Sequence, residues 1–123
     1  ETVNAEAAPN LAITKSVSPV PVTENGTLTY TFRIQNYGSV AATNTTGVVI
    51  TDTFAPVLSN LTAALNGTAW TAATDYTYNE ATGTFSSTAG AITVPAATYT
   101  QDSTTGAWVV TPGESTLVIT GTV

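Results

Sequence analysis

Along Thr27–Asn36 the side chains alternate without a break: Leu28, Tyr30, Phe32 and Ile34 fall on one parity, Thr29, Thr31, Arg33 and Gln35 on the other. An extended chain puts residues two apart on one face, whereas a helix needs a 3.6-residue repeat, so this run specifies a strand with one face in a core. No other stretch carries a long 3.6-residue apolar period. The remaining runs are short and divided by turn signals: Leu11–Val17, Val48–Phe54, Leu61–Leu65, Thr68–Ala72, Tyr76–Asn79, Thr84–Ser87, Ala97–Gln101, Ala107–Thr111 and Ser115–Val123. Asn66-Gly67, Thr82-Gly83 and Thr105-Gly106 mark hairpins, and Ser18-Pro19, Ala55-Pro56 and Pro112-Gly113 mark strand ends. Of 123 residues, 28 are Thr and 42% are apolar, a composition suited to a pleated, half-buried surface. The expectation is an all-β fold: an antiparallel sandwich over 11–123, with extra hairpins in 61–107.

The same composition removes whole classes of chemistry. There is no Cys and no His, so thiolate or imidazole ligands and nucleophile–histidine catalysis are excluded. Eight carboxylates against two cations give a net charge of −6, which disfavours nucleic acid and anionic membranes as partners. No apolar run reaches the length of a bilayer span. The reading is a non-enzyme without cofactor or metal, suited to an extracellular, cell-surface setting.

Residues 1–10 differ from the rest, and Val3, Ala5 and Ala7 alternate with Thr2, Asn4 and Glu6. They form an N-terminal arm, either loose or donated as a strand to a neighbour's sheet edge. On the second reading, residues Thr2 to Ala7 are subunit contacts and copies join head to tail in an open polymer.

Three polar residues share the core parity of their strands: Lys15 with Leu11, Ile13 and Val17; Asn36 with Ile34; Asp52 with Val48, Ile50 and Phe54. Buried charge is costly unless paired, so the three are expected to converge inside the sandwich. A strand end that tips one of them back to solvent, Asn36 beside Tyr37-Gly38 foremost, is one alternative, and two outcomes of convergence stay open. One is a Lys15–Asp52 ion pair completed by Asn36. The other is an isopeptide bond, in which a neutral Lys15 amine attacks the Asn36 carboxamide, Asp52 shuttles protons, and ammonia leaves.

Leu11-Ala12-Ile13-Thr14-Lys15, Gly26 to Tyr30, Gln35-Asn36-Tyr37-Gly38, Ile50-Thr51-Asp52-Thr53-Phe54 and Pro112-Gly113-Glu114-Ser115 carry a family resemblance. In these stretches the chain resembles the conserved-repeat domain of bacterial and archaeal surface proteins, known as domain of unknown function eleven. The resemblance covers roughly 11–60 and 108–123; residues 61–107 fall outside it. It implies an immunoglobulin-like sandwich of cell-envelope stalks, adhesins or fibres, and no activity.

Other candidates are weaker. Trp70 and Trp108, with Tyr76 and Tyr78, could stack on sugars or anchor the core. Asp75, Asn79, Glu80 and Asp102 offer oxygen ligands without calcium-loop spacing. Glu24 and Glu114 sit beside turn glycines and are expected to face water. Asn25, Asn44, Asn60 and Asn66 lie in Asn-x-Ser/Thr sequons, as glycosylation sites or as turn residues. The expected function is a structural subunit of a surface filament, pilus or stalk. The alternative is a ligand- or glycan-binding adhesin module using residues 61–107.

Overall fold

The computed structural model describes residues 9–19 and 23–123, and among them there is no helix. Five strands form the larger sheet: β1 (Leu11–Ser18), β2 (Thr27–Asn36), β4 (Ser59–Leu65), β5 (Thr68–Ala69) and β10 (Gly113–Thr122). Their order is β1-β2-β10-β4-β5, with every neighbouring pair antiparallel. A smaller sheet, β3-β7-β6, is built from β3 (Thr51–Thr53), β6 (Tyr76–Asn79) and β7 (Thr84–Ser87), again antiparallel. The third unit is a ribbon of β8 (Thr98–Gln101) and β9 (Trp108–Thr111).

The long alternating run becomes the centre of the larger sheet. Leu28, Tyr30, Phe32 and Ile34 are all buried, and they meet Leu117 and Ile119 of β10 across the ladder. The smaller sheet contributes Tyr76 and Phe85, and the loops contribute Ile50, Phe54, Leu58, Ile92 and Val94. Aromatic rings carry the contact from sheet to sheet. Tyr30 stacks on Phe54 at 4.5 Å, Phe54 lies 6.1 Å from Phe85, and Phe85 stacks on Tyr76 at 5.4 Å. Offset rings at such spacing add to the burial of apolar area, which supplies most of the driving force.

Turn chemistry sets the connections. Asn66 (φ 51°) and Gly67 (φ 83°) make the two-residue hairpin between β4 and β5, where the left-handed conformation suits glycine and asparagine. Asn66 also fastens that turn to β10, accepting from the Thr116 N–H and donating to Ser115 Oγ. Gly113 lets β10 start beside the Pro95 carbonyl, a position that any Cβ would overrun.

Two strands are shorter than their sequence runs. Val48–Ile50 lie outside β3, and at Ile50 the bonding passes to Ser87, whose hydroxyl accepts the Ile50 N–H while its own N–H donates to the Ile50 carbonyl. Past Ala69 the chain turns toward β6 instead of continuing along β4.

The sandwich has two unlike sides. At one, β5 passes directly to β6, and Trp70 stacks on Tyr76 at 6.3 Å, closing the gap. At the other, β1 and β3 are the outermost strands of their sheets, with no strand between them among the described residues.

Candidate functional site at the open side

β1 is the longest free edge in the described structure, at eight residues; the other outermost strands of the two sheets have two, three and four. Its pairing to β2 runs from Leu11 opposite Asn36 to Ser18 opposite Thr29, and the Tyr37 N–H extends the ladder to the Asn10 carbonyl. Backbone groups alternate in an antiparallel ladder. With Asn10 bonded to β2, residues 11, 13, 15 and 17 turn their N–H and C=O groups outward, without a partner among the described residues. An exposed row of this kind is a template for another strand.

The face is as open as the edge. Ile13 is 48% exposed and Val17 39% exposed, although both lie on the inward parity opposite buried Ile34 and Tyr30. The cause is the facing sheet. Its edge strand, β3, is only three residues long and does not reach over β1. Val49 and Val57, which flank β3 in the chain, are also exposed.

Among the described residues, one ion pair crosses this side. Lys15 Nζ lies 2.5 Å from Asp52 Oδ2, with the ammonium 4.9 Å from the Tyr30 ring centre, 5.9 Å from Phe54 and 6.0 Å from Phe32. The aromatic faces and the carboxylate together hold the cation at the rim. Asp52 Oδ1 accepts the Thr53 N–H, and Oδ2, buried, faces the ammonium. The Lys15 side chain is 42% exposed and that of Asp52 21%, so the pair stands at the margin of the core rather than within it.

Asn36 is elsewhere, and the expected three-way convergence is corrected. The ladder places Lys15 opposite Phe32 and Asn36 opposite Leu11. Four residues of strand separate them, about 13 Å, beyond the joint reach of the two side chains. The Asn36 carboxamide is fully buried and committed: Oδ1 accepts the N–H groups of Asn10 and Gly38, and Nδ2 donates to the carbonyls of Val40 and Pro95. It staples the start of β1 to two loops. A Lys15–Asn36 bond has no place in this geometry; the Lys15–Asp52 contact does.

The remaining candidates have structural duties. Trp70 packs on Tyr76 at the closed side, and the Tyr78 hydroxyl donates to the Leu58 carbonyl and accepts its N–H. Tyr76 and Tyr78 line one wall of an open cavity of about 460 Å³, shared with Asn60, Leu61, Ala73 and Glu80. Asp75 accepts the Thr71 N–H, Asn79 those of Ala81 and Thr82, and Asp102 those of Thr104 and Thr105, so each caps its own turn. Among the described residues no three acidic side chains gather as a metal ion would require. Glu114 sits in β10 rather than in a turn, and both its oxygens accept from Arg33 across the strand pair. That contact, chiefly its hydrogen bond, holds the Glu114 carboxyl below its ordinary range and raises Arg33. Glu24 is exposed beside Asn25.

Among the sequon asparagines, Asn25, Asn44 and Asn60 are exposed, while the Asn66 carboxamide is engaged with β10. The arm contacts Thr2, Val3, Asn4, Ala5, Glu6 and Ala7 lie outside the described residues. Trp108, at 65% exposure, is the most open large apolar residue described, and sequence periodicity alone did not separate it from Trp70.

No family model, curated protein or solved structure matches this chain.

Proposed function

We propose that this chain is an extracellular structural subunit of a cell-surface filament, pilus or stalk, joined to its neighbours by strand addition at the open β1 edge. The carrying observation is that eight-residue free edge, with Ile13 and Val17 uncovered beside it. Added main-chain hydrogen bonds supply affinity, and apolar side chains of the incoming strand supply fit. Donor and acceptor surfaces that differ make a heterologous contact, which propagates rather than closes. An immunoglobulin-like topology and a cell-envelope setting belong to this reading through the resemblance in residues 11–60 and 108–123. The N-terminal arm, with its two-residue alternation, is one donor the sequence offers.

The test is electron microscopy with light scattering on the full chain under native conditions. Fibres or open oligomers are expected. Ile13→Pro removes an outward N–H and spares the β1–β2 ladder, so it should yield folded monomers with an unchanged circular dichroism spectrum. A wild-type chain that stays monomeric at millimolar concentration, or an Ile13→Pro chain that polymerises as well as wild type, overturns the proposal.

A further inference from the structure

The β8–β9 ribbon is the least covered part of the described chain. All eight of its strand residues are exposed, and no other strand among the described residues pairs with it. Cross-strand partners share a face, so Tyr99, Val110, Gln101 and Trp108 lie together, with Thr98, Thr111, Thr100 and Val109 on the back. The first face is apolar and largely aromatic. An isolated two-stranded ribbon is marginal in water without something packed on it, and tryptophan and tyrosine are enriched at the centres of protein interfaces.

The ribbon is nevertheless held in a definite position. The Ala97 N–H donates to the Gly38 carbonyl and the Tyr99 hydroxyl to the Tyr37 carbonyl, which root it at the Asn36 end of β2. At its far end Asp102 Oδ1 accepts two backbone N–H groups, and Gln101 Nε2 donates to the Gly106 carbonyl. This is a set turn on a braced stem.

One molecule thus carries two unpartnered surfaces of complementary kind. The ribbon offers free strand edges, an apolar face and an acidic turn. The open side offers a free strand edge, an apolar face and a half-exposed lysine that Asp52 holds on one side. Arg33 lies on the outward parity and is held by Glu114, whereas Lys15, paired with Asp52 yet 42% exposed, is the cation at the open rim of a chain with net charge −6. Resting on the filament reading above, we infer that the β8–β9 ribbon is the donor: it docks on the β1 edge of a second copy, laying Tyr99, Trp108 and Val110 over Ile13 and Val17 and bringing Asp102 toward Lys15. The two surfaces are distinct, so each copy gives a ribbon and receives one.

Two variants and their mixture test this. Trp108→Ser with Val110→Asp disables the ribbon, and Ile13→Pro disables the edge. Each variant alone should be monomeric by light scattering. Mixed in equal amounts they should form one-to-one dimers and nothing longer, because one working surface of each kind remains. Val109→Asp, on the back of the ribbon, should polymerise like wild type and controls for loss of fold. If the ribbon variant polymerises fully while Ile13→Pro does not, the edge is the acceptor but the ribbon is not the donor. If in addition wild type binds neutral oligosaccharides on a glycan array and the ribbon variant does not, the ribbon is a sugar platform, and the inference falls while the filament reading stands. A monomeric wild type removes both.

Discussion

Asn36 shows how much one side chain can organise. Its carboxamide makes four hydrogen bonds, all to backbone groups, and ties the start of β1 to the loops at Gly38, Val40 and Pro95. Truncation strands buried donors and acceptors, each carrying a desolvation cost. Asn36→Ala should therefore lower unfolding free energy by about 3–5 kcal/mol in urea titration. Tyr78 offers a pH signature. Burial raises its phenol above the ordinary value of 10.0, with the Leu58 backbone bond opposing. Because the folded state prefers the protonated form, this stabilisation is complete below pH 10.0 and declines as pH rises through the higher folded value. Tyr78→Phe should cost about 1–2 kcal/mol at neutral pH, through the two Leu58 bonds, and should flatten the alkaline loss in pH-dependent melts. Neither role was legible beforehand: parity placed Asn36 inward correctly, but two of its four partners, Asn10 and Pro95, lie 26 and 59 residues away in the chain, and the others depend on how the loop after β2 folds back.

At the scale of elements, the division is between face and cover. Alternation located β1 and β2 and oriented both, and Lys15 does share the inward parity of Ile13 and Val17. Whether an inward face is covered depends on the opposing sheet. Its edge strand is cut to three residues because the Ser87 hydroxyl takes over the bonding of Ile50, a substitution that no local pattern announces. The ion pair bridging β1 and β3 is correspondingly modest. A Lys15→Ala, Asp52→Ala double-mutant cycle should give a coupling of about 0.5–1 kcal/mol that shrinks in high salt. Intact mass should equal the uncross-linked value; a deficit of one ammonia would restore the Lys15–Asn36 bond.

For the molecule as a whole, the absence of histidine and cysteine, the acidic balance and the strand-rich composition were readable at once, and the all-β antiparallel architecture follows them. The hairpins at 66–67, 82–83 and 105–106 also stood in the sequence, but the third one's isolation did not, since free-standing and packed ribbons share the same turn chemistry. The placement of the two strands beside β2 has a mechanical consequence. Leu11 and Gly113 both face Asn36, while Ser18 and Thr120 both face Thr29, so β1 and β10 run the same way on either flank of β2. The leading end of β1 and the trailing end of β10 therefore emerge at opposite poles. Tension applied between those poles would load the two ladders along their length, so that their bonds resist together in shear instead of opening one after another like a zip.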